Sequence, residues 1–153
     1  MEDAKSSNEI SYLLFTMGRQ EFGMEVSCVR EIIGAQQEIV SVPKTGCFVK
    51  GVINLRGEII SVTDIAGYLG LSVVSDPVKN RIVVCEIKEK KTGFPVDEVR
   101  EVITIPVGSI QPPTAAFFAG AYAVYMKGIT NYKDRVVMIM DFGLVLGRII
   151  EHG

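Results

Sequence analysis

Residues 29–33 read Val-Arg-Glu-Ile-Ile, and residues 99–103 read Val-Arg-Glu-Val-Ile. The second string lies 70 residues after the first. Working outward, residues 13–33 superpose on 83–103 without a gap. Identities fall at Gly23/Gly93, Val26/Val96, Val29/Val99, Arg30/Arg100, Glu31/Glu101 and Ile33/Ile103. Chance gives about one or two identities in such a window. Farther along, residues 50–70 match 127–147 at an offset of 77. The identities there are Lys50/Lys127, Gly51/Gly128, Asn54/Asn131, Asp64/Asp141, Leu69/Leu146 and Gly70/Gly147. The chain therefore contains one unit twice, and the extra residues of the second copy fall between 104 and 126. Two copies are too few for a solenoid. About seventy residues is marginal for an independent core, so the copies are expected to share one.

Each copy reads as β. Tyr12–Met17 and Arg81–Ile87 are apolar runs rich in strand formers, and each precedes a polar turn and a second strand near Phe22–Val26 or Phe94–Val96. Ser27 and Asp97 suit N-caps of helical turns at 26–28 and 96–98. The Val-Arg-Glu strings form the next strands. Later hairpins turn at Asn54-Leu55-Arg56-Gly57 and Asn131-Tyr132-Lys133-Asp134, residues that tolerate positive φ. Short helix-like tails follow Asp64 and Asp141. The expected fold class is all-β: two small barrels from an internal duplication, sharing a core, with short helical segments. All 153 residues then form one domain. Its subdomains are expected at about 10–75 and 80–148, one barrel per repeat, with the N-terminal strands free to pack with either barrel.

Composition narrows the function. Hydrophobic residues are 48% and charged residues 22%, enough for a core and too little charge for disorder. The net charge is -2 and tryptophan is absent, which disfavours a nucleic-acid partner. The sole histidine is His152, next to the last residue, a poor place for a catalytic or metal-binding imidazole. Cys28, Cys47 and Cys85 form neither a CxxC motif nor a disulfide framework and read as reduced thiols in a cytoplasmic chain. The polar N-terminus lacks the apolar core of a signal peptide. Residues 102–126 carry no charge, but Pro106, Pro112 and Pro113 interrupt any spanning helix. No membrane insertion is expected.

Few groups offer chemistry. Gly46–Gly51 has the first spacing of a phosphate loop, but Val52-Ile53 stand where Lys-Ser/Thr is required. Asp64 and Asp141 are the carboxylate pair to test for hydrolysis, against a favoured reading as helix caps. No catalytic residue, metal or cofactor is assigned. Arg56 at a hairpin tip is either a solvated arginine or a protein contact. The Arg30-Glu31 and Arg100-Glu101 pairs lie on strands, where neighbours face opposite sides. One member of each pair then faces a partner, or both are solvated edge charges.

Leu14-Phe15, Gly23, Val29–Ile32 and Val42-Pro43 lead into Phe48-Val49-Lys50-Gly51-Val52-Ile53-Asn54-Leu55-Arg56-Gly57. Ile59–Ile65, Val96–Val99, Ile110–Pro113 and Lys127–Ile129 follow. This pattern, over roughly 10–148, resembles the CheW-like family of chemotaxis coupling proteins. The resemblance implies two SH3-like five-stranded barrels and a non-enzymatic adaptor. Such adaptors link the cytoplasmic tips of methyl-accepting chemoreceptors to the regulatory domain of the histidine kinase CheA. It implies a cytoplasmic protein, monomeric when isolated and recruited to membrane receptor arrays. Residue by residue, it places Val29 and Glu31 at the receptor groove between the barrels, and the internal repeat adds Val99 to that set. Ile39, Val42 and Gly51 fall on the kinase side, and Arg56 is the expected signalling-critical contact. The sequence departs from the family at Ala66, where many members carry Arg, and at Gly67. A paralogous two-component pathway and a nucleic-acid-binding barrel are the alternative functions.

Overall fold

Four tight turns organise the strands. β1 (Glu9–Met17) and β2 (Gln20–Glu25) turn at Gly18-Arg19, and β4 (Val49–Leu55) and β5 (Glu58–Thr63) at Arg56-Gly57. β6 (Arg81–Ile87) and β7 (Lys90–Val96) turn at Lys88-Glu89, and β9 (Met126–Tyr132) and β10 (Arg135–Met140) at Lys133-Asp134. Every central residue has positive φ, from 51° at Lys88 and Lys133 to 87° at Gly57, as two-residue hairpins with the right-handed strand twist require. The side chains of Asn54 and Asn131 accept from the backbone N–H of Gly57 (2.9 Å) and Asp134 (3.2 Å), which accounts for their identity in both repeats. The turns are shorter than the sequence suggests. β2 resumes at Gln20 and β7 at Lys90, because two residues with positive φ suffice to reverse the chain.

The computed structural model describes residues 8–43, 46–113 and 123–152. Residues 114–122, within the stretch that holds the seven extra residues of the second repeat, lie outside the described residues, as do the N-terminal residues 1–7. Within the described chain two five-stranded sheets form, in the orders β8-β1-β2-β10-β9 and β3-β6-β7-β5-β4; β3 is Val29–Gly34 and β8 is Glu98–Pro106. Each sheet thus combines the first hairpin of one repeat with three strands of the other. This corrects the contiguous division at about 75–80: β1–β2 belong with residues 98–140, and β6–β7 with residues 29–63. The two repeats have exchanged their first hairpins.

The physical reason lies in β1 and β6. Both are apolar on both faces. Tyr12 and Leu14 point into one barrel while Leu13, Phe15 and Met17 point into a core common to both. Ile82 and Val84 fill the other barrel while Val83 and Cys85 enter the common core. A hairpin with two apolar faces needs cover on each side, and exchange provides it. Phe15, Phe94 and Phe142 meet at the centre with ring centroids 5.3–5.7 Å apart. Each such buried side chain contributes about 1.5–3 kcal/mol.

The corners differ between repeats. Val26–Cys28 forms the expected helical turn, but Ser27 lies inside it and Glu25 holds the N-cap position without a side-chain cap bond. Asp97 does not cap one. It stands alone between β7 and β8, and its carboxylate accepts from the N–H groups of Gly18 (3.2 Å), Arg19 (2.8 Å) and Val74 (2.7 Å). One side chain therefore ties the β1–β2 turn and the inter-repeat linker to the corner. The tails differ too. α1 (Ile65–Tyr68) is one turn, while α2 (Phe142–His152) places Phe142, Val145, Leu146 and Ile149 in the common core.

Candidate partner-binding surfaces

Val29 and Val99 occupy equivalent places on the seam between the barrels. Both are half-buried and pack against the common core. Each is followed by a bulge: the register jumps from Val29↔Cys85 to Glu31↔Val84, and from Val99↔Phe15 to Glu101↔Leu14. Arg30 and Arg100 are the looped-out residues. The extra residue breaks strict alternation, so both members of each Arg–Glu pair reach surface partners. Arg30 bonds Glu86 at 2.8 Å, and Arg100 lies 3.8 Å from Glu21 and 3.9 Å from Glu98.

Glu31 and Arg56, assigned to separate roles from the sequence, form one ion pair of 2.6 Å. Arg56 is the i+1 residue of its turn, with φ 53°, which swings its side chain off the hairpin tip toward β3. Its side chain is 69% exposed and that of Glu31 31%. The hydrogen bond to Glu31 raises the guanidinium pKa, so Arg56 is cationic at every physiological pH. The second barrel solves the same problem differently. Arg135 donates to Glu21 (2.8 and 3.2 Å) and to Glu101 (3.4 Å), while Lys133 lies over the Tyr132 ring. The counterpart of Arg135–Glu21 in the first barrel is Glu58–Lys91 at 3.1 Å, with the charges reversed.

The segment after β3 closes the second sheet. Val40 pairs with Val52 through two backbone hydrogen bonds of 2.8 and 2.9 Å. Ile39 turns inward against the barrel core, while Val40 (53%) and Val42 (39%) are exposed. Gly51 is buried beneath them with φ 147°, and a Cβ there would lie 2.2 Å from the Val40 carbonyl oxygen. Gly128 repeats the arrangement under Gln111, with φ 156° and 2.3 Å. Gly51 thus holds the loop in place and has no side chain to offer a partner. The sequence missed Val40 and Ile59 as surface residues. Ile59 is 64% exposed, and its repeat counterpart Val136 63%. The signal was present: each is an apolar residue one place out of register with the inward-facing Ile60 or Val137. With Val52, Ile59 lines a shallow cleft of about 430 Å³ rimmed by Lys90 and Lys91.

Other candidates resolve into structure. Asp64 accepts from Gly67 N–H (2.9 Å) and Asp141 from Leu144 N–H (3.0 Å), so both are helix caps. Burial pushes the Cys85 thiol up to about 12, Cys28 is half-buried and Cys47 exposed. Among the described residues no group of three or more His, Cys, Asp or Glu side chains is placed to hold a metal. No described helix is long and apolar enough to cross a membrane. The side chain of His152 lies outside the described residues.

Comparison with known proteins follows this geometry. Residues 11–149 match the family model of the CheW-like domain. The chain is 30% identical over 146 residues to the chemotaxis protein CheW of Thermotoga maritima, covering 95% of this chain and 93% of that protein. It is 30% identical to the CheW of Rhizobium meliloti, covering 87% and 84%. Among solved structures, the scaffolding protein TtCheW from Thermoanaerobacter tengcongensis superposes with a TM-score of 0.76 at 30% identity, covering 88% of this chain and 86% of that one.

Proposed function

The chain belongs to the CheW-like domain family of non-enzymatic chemotaxis scaffolds, and we propose that it couples the cytoplasmic tips of chemoreceptors to the regulatory domain of the histidine kinase CheA. One observation carries this reading: the chain presents two separate apolar surfaces. The first is the Val29/Val99 seam, which suits an apolar helical receptor tip. The second is the Val40, Val42, Val52 and Ile59 face, which suits the kinase regulatory domain. Arg56 and Glu31 stand on the hairpin tip and on the neighbouring β3 of the same barrel, with most of the guanidinium open to a partner. The protein acts in the cytoplasm, at receptor arrays, where repeated contacts of moderate affinity sum to tight coupling.

Titration of the folded chain with the kinase regulatory domain and with a receptor-tip fragment tests the proposal. Val40→Asp removes kinase binding and leaves receptor binding intact, and Val29→Asp does the reverse. Ile39→Asp is less informative, because Ile39 is part of the barrel core packing. No binding of either partner by a well-folded chain overturns the proposal.

A further inference from the structure

The duplication supplies an internal reference for every position, and at one place the two barrels differ in content. A cleft of about 390 Å³ opens at the end of the β3-β6-β7-β5-β4 barrel, with Leu71, Ser72, Val73 and Ser75 of the linker as one wall. That volume lies within the range of ligand pockets, about 300–1,000 Å³. Three residues of the cleft are unchanged in the other barrel: Ile39, Lys50 and Asp64 correspond to Ile110, Lys127 and Asp141. Four are smaller or lack the charge. Ala35, Asn80, Ile82 and Pro95 stand where the other barrel has Ile105, Ile10, Tyr12 and Glu25.

In the other barrel these four positions carry side chains that find partners within the chain. Tyr12 is buried and lies directly across the β1–β2 ladder from Glu25. Glu25 accepts from Lys127 at 2.8 Å, and Ile10 and Ile105 pack against the same barrel core. In the cleft, the equivalent cross-strand pair is Ile82↔Pro95, which supplies neither a phenol ring nor a carboxylate. Lys50 is exposed at the cleft, and among the described residues it makes no ion pair. Asp64 is no obstacle to an anion there, because Asp141 holds the same position beside Lys127 while Lys127 binds Glu25.

We infer that this cleft receives an acidic segment of a partner protein, which brings a glutamate to Lys50 and lays an aromatic side chain on Ile39 and the linker wall at Leu71. The glutamate does in trans what Glu25 does in cis for Lys127. Only the protein nature of the occupant rests on the adaptor reading. The cleft is separate from the Val52/Ile59 face, so Val40→Asp distinguishes the two: it removes binding of the kinase regulatory domain and spares the cleft.

The test is a titration of the ¹⁵N-labelled full chain with the blocked peptide acetyl-Tyr-Ala-Glu-Ala-amide, whose spacing puts both side chains on one face of an extended segment, followed by NMR. Saturable shifts are expected at Ala35, Ile39, Lys50 and Ser72. The Gln version of the peptide should bind about tenfold more weakly, as expected for loss of a charge-assisted hydrogen bond. Pro95→Glu places a carboxylate where Glu25 stands in the other barrel, so it should pair with Lys50 and abolish binding. Lys50→Glu, at an exposed position that leaves the fold intact, should abolish it by repulsion. The inference is overturned by absent shifts at about 10 mM peptide or by binding that survives both variants. It is also overturned by sodium acetate matching the peptide in site and affinity, which would make the cleft a general anion site only.

Discussion

Arg56 donates to Glu31 across 2.6 Å, joining the β4–β5 hairpin tip to strand β3. These residues are 25 apart in sequence; Arg56 stands in the turn that follows β4, and β3 and β4 are the two edge strands of one sheet. Exposed pairs contribute little to stability, so the value of this one lies in where it points the guanidinium. Arg56→Ala should melt within about 2 °C of wild type yet fail to support receptor-controlled kinase activity in reconstituted arrays. If Arg56 makes the proposed partner contact through its exposed guanidinium, the charge-reversed double variant Glu31→Arg/Arg56→Glu should not restore activity. Full rescue by the reversal would assign the pair a purely internal role.

Gly51→Ala should be far more damaging than Gly57→Ala. Both glycines have positive φ, but a Cβ at Gly51 meets the Val40 carbonyl, whereas one at Gly57 meets nothing within 4 Å. Expected losses are about 1 kcal/mol at Gly57, from the backbone conformation alone, and at least about 3 kcal/mol at Gly51, where the closing strand must move. Urea unfolding of the two variants measures the difference.

Asp97→Ala should cost about 3 kcal/mol, since three N–H groups lose their acceptor at a largely buried site. The linker should loosen with it. A larger rise in amide exchange at Val74 of the linker and Arg19 of the turn than within β1 and β7 is the expected signature.

Cys85 should titrate only far above neutrality. Burial is the main cause of its raised pKa, about 12 in the folded chain against 9.0 for an ordinary thiol. The unfolded chain releases this proton first, so the Cys85 contribution to stability is unchanged below pH about 9 and is lost as pH rises from about 9 toward 12. Cys85→Val should flatten that alkaline loss. In the native protein iodoacetamide should modify Cys47 well before Cys85.

Hairpin exchange predicts the behaviour of fragments. Residues 1–78 and 79–153 should each remain unfolded, since β1 and β6 lose the strands that cover them. A 1:1 mixture should recover the native circular dichroism spectrum. A folded, monomeric 1–78 fragment would contradict the exchange.

Much of this was written in the chain. The Val-Arg-Glu repeat announced the duplication, the short apolar runs announced strands, and Asn54 and Asn131 marked the two hairpins they stabilise. The capping roles of Asp64 and Asp141 followed from their place before a helix. Val29 and Val99 could be paired by offset alone, and both pack half-buried against the common core. Val40 and Ile59 escaped notice because composition does not say which face of a strand closes inward. Gly51 was placed at a contact although its work is to let Val40 cross above it, a relation no linear spacing reveals.

By itself, the sequence determined local conformation and internal symmetry, because turn chemistry and apolar periodicity act between neighbours along the chain. Only the tertiary structure decided which hairpin joins which sheet, that Glu31 meets Arg56, and that Glu25 meets Lys127 in one barrel while Pro95 stands opposite Ile82 in the other. Those outcomes depend on how two apolar faces of the same strand find cover at once, and that cover comes from residues of the opposite repeat.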